Sequence, residues 1–422
     1  MDNRVVITGM GVAAPNGVGL TAFREAIKKG ISGIRRDPDL ERLDFSCQIG
    51  GKPQLSADLI SKYFTDLELR NFNSSGIMYG VIAGMDAWKD AGLEPYLAEE
   101  PDWNSGTVFG AGTSGIDRFR EAIYKTDDMQ VRRLGSTVVA QTMASGVSAY
   151  LGGKLGLGNQ VTTNSSACIT GAESILMAYE RIKYGKATRI LAGSTSDSGP
   201  YIWGGFDAMK VCTYKFNDRP EAGSRPMSAS ASGFVPSSGA GALVLESLDS
   251  ALERGARIYA EVLGGHINSG GQRGTGSMTA PNSTAVQRCI KNALREAGIE
   301  STDIDAINGH LTATAKDALE IENWTIALNR KGDSFPYINS LKSTVGHCLT
   351  ASGSIESVAS VLQIKEGFVF PNINCEDLNS EIAELVDRER IPTTLVTKSI
   401  NILAKASFGF GDVNACIIFK KY

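Results

Sequence analysis

The feature that most constrains the fold is a repeat. Residues 86–94, "DAWKDAGLE", and residues 292–300, "NALREAGIE", share one helical pattern, one glycine stop and one exit. A second pair, "RIKYG" at 181–185 and "QIKEG" at 363–367, follows in the same order, again about half a chain apart. Many helices end in Ala-Gly, so either match alone is weak; two in one order point to duplication. A duplicated chain folds as two like halves, roughly 1–250 and 251–422, with "SGAGALVLESLDSALERGARIYAEVLGG" carrying it across. Strand-like runs such as "RVVITGMG", "SGTVFGAG" and "ATRILAGST" alternate with helical patterns such as "MYGVIAGMDAWKDAG". That βα alternation, punctuated by glycine, predicts an α/β fold.

Composition removes several function classes. With 42% apolar and 21% charged residues the chain reads as an ordinary globular protein. A net charge of -4 gives no attraction to nucleic acid or an anionic membrane. No apolar run reaches bilayer-spanning length. The start, "MDNRVVITGMG", enters a strand pattern without a basic signal region, so the cytoplasm is the expected compartment. The seven cysteines are scattered and form no CxxC pair, which argues against a disulfide framework or a zinc site; no metal or cofactor is expected.

Four short stretches could carry chemistry. In "TTNSSACITGAESI", Cys168 sits at the seam between a polar run and a helical segment. A lone thiol is commonly an inert core residue. A helix N-terminus, however, lowers a thiol's pKa and offers free N–H groups to an oxyanion. Only three histidines exist, and two occupy motif-like settings: His310 in "INGHLTAT" and His347 in "KSTVGHCLTASG". Each taken singly reads equally well as a satisfied core or turn histidine. His266 has no comparable setting. The "TGMGVAAPNG" stretch imitates a dinucleotide fingerprint, but its third glycine is missing and Pro15 stands where the helix should start.

Together, "SSACITG", "NGHLTAT", "KSTVGHCLTASG" and "SFGFGDVNACIIF" resemble the beta-ketoacyl-acyl carrier protein synthases of the thiolase fold, in the family's order and across essentially the whole chain. The resemblance implies two pseudo-symmetric βα halves in a layered αβαβα core. It implies that Cys168 takes the acyl chain as a thioester and that His310 and His347 bind the carbonyl of a malonyl unit as it decarboxylates. Lys342, paired with Glu320, would orient the second histidine's surroundings. The amides of Cys168 and Phe410 would form an oxyanion hole, with the Phe410 ring as gate, and Thr312 and Thr314 would line the extender's arm. The implied partner is acyl carrier protein, docked on Lys210 with Arg132 and Arg133 in support. The implied assembly is a homodimer, or a heterodimer with a second ketosynthase-like subunit.

Several positions depart from the family pattern. Leu311 replaces a glycine beside His310, and the loop to Asp317 is one residue short. The usual charged stretch reads "RPMSASASGFVPSSGAG", and Asp412 replaces a glycine, which we read as drift. Leu311, the short loop and the serine-rich stretch suggest a pocket reshaped for a specialised acyl chain, against a housekeeping fatty-acid elongase. Among rivals, a chain-length partner subunit should lack Cys168. A degradative thiolase needs a second cysteine late in the chain, where Cys416 lies in a strand pattern instead.

Overall fold

The computed structural model describes residues 2–422. Eleven strands form one sheet, ten of them in the order Tyr337–Asn339, Ala306–Asn308, Ile402–Gly409, Val413–Lys420, Ala260–Ser269, Val5–Ala14, Gly239–Ser247, Arg189–Ser196, Ser105–Ala111 and Val161–Thr162, and the eleventh, Gly17–Val18, paired to Val5–Ala14. Leaving Gly17–Val18 aside and counting outward from the centre, each side presents its first, fifth, fourth, second and third strand. The pairings on both sides run antiparallel, antiparallel, parallel, parallel. The sides meet only where Val5–Ile7 pairs with Ala260–Val262.

Helices cover these strands in layers. Ser75–Asp90 packs on the outer face of the first set, and Ser283–Ala297 on the outer face of the second. Between the sets lie Thr170–Lys183 and Ser352–Glu366, which touch strands of both and each other. The Ser352–Glu366 helix is buried on all sides through Ile364, as a central layer requires. Each central helix ends in one of the repeated glycine stops, Gly185 and Gly367, both with left-handed φ. Among the described residues no helix is long and apolar enough to cross a membrane.

The glycines of the false dinucleotide motif have a packing reason. A Cβ on Gly9 or Gly11 would run into the carbonyls of Ala87 and Ala83 on the Ser75–Asp90 helix. The first long helix opens only at Leu20, after the turn through Pro15.

The two central helices cross almost backbone to backbone. A Cβ on Gly353 would stand 2.6 Å from the Ala172 nitrogen, and one on Gly171 would meet the Ser354 nitrogen and Ser194 Oγ. Overpacking of a tight core costs about 1–3 kcal/mol. Gly353→Val should therefore lower the unfolding free energy by roughly 2 kcal/mol or more, read from urea denaturation. Parental stability in that variant would contradict so close a crossing.

Candidate active site

The chain leaves Val161–Thr162, turns through Ala167 at φ 49°, and presents Cys168 two residues before the Thr170–Lys183 helix. Thr170 Oγ1 accepts from the Ser166 amide (2.8 Å) and donates to the Ala167 carbonyl (2.7 Å), which holds the turn. A side chain in this left-handed region costs of order 1–3 kcal/mol, so the surroundings must impose it. Ala313, Leu349 and Asp412 adopt the same conformation, one in each of the other three loops of the site.

His310 follows the Ala306–Asn308 strand, and His347 follows the Lys342–Val345 turn. The Cys168 sulfur and a ring nitrogen of each histidine lie within 4.8 Å of one another. His347 Nδ1 accepts from the Leu349 amide (3.2 Å) and stands 3.0 Å from Ser352 Oγ. A backbone amide can only donate, so the His347 proton resides on Nε2. The amides of Phe410 and of Cys168 itself are turned toward the sulfur and favour its thiolate. A cavity of about 370 Å³ opens above this group, lined by Met209, Phe234, Thr279, Thr312, Thr314 and Phe410 among others. Thr312 and Thr314 face each other, Oγ1 to Oγ1, at 3.1 Å. An aromatic chain runs from Phe410 through Phe206 and Phe234 to the His347 and His310 rings, with neighbouring centroids 5.1–6.0 Å apart.

Burial sets the charge states. It pushes the Cys168 thiol up to about 11, opposed by the charge of Lys342 and by those two amides. The expectation that the helix N-terminus leaves this thiol acidic is corrected: loss of hydration outweighs every favourable contact. His310 and His347 are both held well below the usual imidazole range, first by burial and then by the charges of Lys342 and Lys405. Both are therefore neutral at pH 7 and able to donate a hydrogen bond.

Lys342 does not pair with Glu320. Its ammonium bonds to Glu356 on the Ser352–Glu366 helix, and both side chains are buried. Glu320 instead accepts from the amides of His310 and Leu311, each at 2.7 Å, and burial raises it to about 7. Asp317, one turn earlier, accepts from the Thr312 and Ala313 amides (2.9 and 3.1 Å) and from Met227 (2.9 Å). These two carboxyls tie down the shortened loop.

Leu311 departs from the expectation of a side chain at the pocket: it is fully buried in the core around Ile307, Ile321 and Phe408 and is not among the residues lining the cavity. Asp412 is not idle drift. Its buried carboxylate accepts from the Gln272 and Asn282 amides (3.0 and 2.8 Å), fastening the loop that brings Thr279 and Pro281 to the cavity. Lys210 is exposed beside cavity-lining Met209. Arg132 and Arg133 are exposed in the Val131–Arg133 turn and border a separate depression. Glu356 and Lys405 escaped the sequence reading. Their signal was a lone charge inside an otherwise small or apolar segment, "TASGSIESVAS" and "NILAKASF".

Residues 2–251 match the "Beta-ketoacyl synthase, N-terminal domain" description and residues 259–376 the corresponding C-terminal domain. The chain belongs to the beta-ketoacyl synthase family. It is 32% identical to 3-oxoacyl-[acyl-carrier-protein] synthase 1 of Escherichia coli K12, over 99% of both chains. Among solved structures it resembles a type II polyketide synthase ketosynthase in complex with its acyl-carrier protein and bound to the hexaketide, at 28% identity and TM-score 0.87 over the whole of both chains. It also resembles the ishigamide ketosynthase/chain length factor, at 26% identity and TM-score 0.87 over the whole of both. The two pseudo-symmetric half-sheets enclosing central helices are the thiolase-like αβαβα arrangement of these ketosynthases. The late cysteine of a thiolase has no counterpart in this beta-ketoacyl synthase: Cys416 is fully buried in its strand and does not line the cavity.

A thiol near 11 is scarcely ionised at neutral pH, and its thiolate fraction rises about tenfold per pH unit. Iodoacetamide labelling of the Cys168 peptide, followed by mass spectrometry, should thus keep accelerating from pH 7 to beyond pH 9, whereas an ordinary thiol levels off past about 8.5. Lys342→Met should slow labelling at every pH, because a cation that favours the thiolate is lost. A plateau below about pH 9 would count against this charge state.

Proposed function

We propose that this chain extends an acyl thioester on Cys168 by decarboxylative Claisen condensation with malonyl-acyl carrier protein, releasing 3-oxoacyl-acyl carrier protein. One observation carries the reading: a thiol and two neutral imidazoles converge within 4.8 Å at the floor of one cavity. Cys168 attacks the acyl-carrier thioester, its proton leaves with the carrier's thiol, and the acyl group stays on sulfur. The carbonyl oxygen of that acyl group lies toward the Cys168 and Phe410 amides, which stabilise the tetrahedral oxyanion. The malonyl thioester then loses carbon dioxide. Its electron pair moves into an enolate whose oxygen is held by His347 Nε2–H and by His310. The enolate carbon attacks the acyl carbon, and Cys168 departs as thiolate.

Thr312 and Thr314 line the path of the extender's arm, and Phe410 gates the acyl side. Carrier proteins are acidic, so the docking surface is a basic mouth. Lys210 beside Met209, with exposed Lys316 at the same opening, supports that reading. The assembly we favour is a homodimer: the sheet ends at the two-residue strand Val161–Thr162, whose Val161 is exposed, so a second copy can extend the sheet there. The mirrored strand order supports two duplicated halves, 1–250 and 251–422. The cytoplasm is the compartment that suits a carrier-dependent synthase.

The test separates two half-reactions. Acyl-carrier protein should add one acyl mass to the peptide holding Cys168, and Cys168→Ala should abolish it. His310→Ala and His347→Ala should still accept the acyl group yet release carbon dioxide from malonyl carrier about 100-fold more slowly or worse, the usual cost of losing an oxyanion donor. Full labelling in Cys168→Ala, or parental decarboxylation in either histidine variant, would remove the role assigned to that residue.

Docking is tested by salt. Lys210→Glu should raise the carrier concentration needed for half-maximal rate, and the penalty should shrink as salt rises from about 0.01 M, where charges reach about 30 Å, to about 1 M, where they reach about 3 Å. An unchanged dependence on carrier at low salt would take Lys210 out of the interface.

A further inference from the structure

The buried Lys342–Glu356 pair has a third member that the chemistry above does not use. Lys405 lies on the Ile402–Gly409 strand with no exposure to solvent. Its Nζ stands 2.8 Å from Glu356 Oε2, the carboxylate oxygen opposite the one that Lys342 takes. It also donates to Ser407 Oγ (3.0 Å) and to the Ala406 carbonyl. Two ammonium groups therefore share one carboxylate in a dry interior.

That ratio is costly. Effective penalties for burying one ion run to several kcal/mol, and a neutral pair needs only one lysine. The groups facing Lys405 from the packed elements do not restore the balance. Glu320 on the Asp317–Leu328 helix is near half protonation at pH 7, and the carboxylate of Asp317 is taken up by backbone amides. The thiols of Cys168, Cys348 and Cys416 are all raised by burial and stay neutral, as do His310 and His347. A fold that carries an excess positive charge beside a reaction cavity is matched to negative charge that arises there during reaction.

We propose that Lys405 is a positioning residue of the condensing site: by sharing Glu356 it fixes the Lys342 ammonium behind the two histidines and adds a second positive charge on the side where the enolate develops. The inference rests on the condensing reading given above. It predicts two effects of removing the charge. The enolate loses stabilisation, so decarboxylation slows. The histidines lose a cation that opposes their protonation, so they take up a proton at higher pH and activity is lost sooner on acidification.

The experiment compares the parent with Lys405→Met and Lys405→Arg. Each is scored for carbon dioxide release from malonyl carrier protein across pH, and separately for acyl loading of Cys168. Lys405→Met should release carbon dioxide on the order of tenfold more slowly at neutral pH, equivalent to about 1.4 kcal/mol of barrier. Its acid limb should move to higher pH while Cys168 still loads. Lys405→Arg, which keeps the charge, should leave the limb where the parent has it. An unmoved limb in a folded Lys405→Met protein, or an equal loss at every pH, overturns the proposal and leaves the condensing reading standing. Absence of decarboxylation in the parent overturns both. Should Lys405→Met fail to fold, Lys405→Gln, equally uncharged but polar, takes its place, and imidazole NMR of that variant beside the parent decides the matter. His310 and His347 must take up their protons at higher pH in that variant than in the parent, and unchanged titration in a folded variant overturns the proposal.

Discussion

Everything in the site depends on how closely two helices cross. Thr170–Lys183 and Ser352–Glu366 occupy equivalent places in the two halves, and Gly171 and Gly353 let their first turns meet without side chains between them. Each helix is preceded by one member of the converging cluster, Cys168 on one and His347 on the other. A wider crossing would part the thiol from the imidazole by the width of a side chain. His310 joins them because its strand occupies the second place in its half, beside Ile402–Gly409, whose end carries Phe408 and Phe410 to the same cavity.

The second theme is neutrality held against charge. The thiol and both imidazoles are uncharged because burial removes the water that would support their ions. The formal charges stand one layer back, on Lys342, Glu356 and Lys405, all nearly inaccessible to solvent. Hydrogen-bond donors that carry no charge of their own do not lock onto solvent anions, and the field behind them still favours negative charge in the cavity. The strained residues Ala167, Ala313, Leu349 and Asp412 show where this arrangement costs backbone energy, since each lies in a loop that aims one of these groups.

Much of this was legible in the chain. The repeated glycine stops at Gly185 and Gly367 end the two central helices, because helix termination is a local matter of φ. The motifs around Cys168, His310 and His347 stood out because small residues crowd wherever backbones approach closely. The partner of Lys342 was not legible. Glu320 and Glu356 are both acidic residues on helices, and only the packing of Ser352–Glu366 between the half-sheets puts Glu356 within reach. Leu311 misled for a related reason: its place beside His310 says nothing about which side of the loop it faces, and it faces the core.

The sequence by itself determined the α/β alternation, the doubled plan, the family and the three residues that meet, because periodicity, glycine stops and motif order are properties of neighbouring positions. The tertiary structure alone decided which charges pair, which side chains reach the cavity and which protonation states they hold. Those are set by distance and by exclusion of water, and both depend on atoms brought together from opposite halves of the chain.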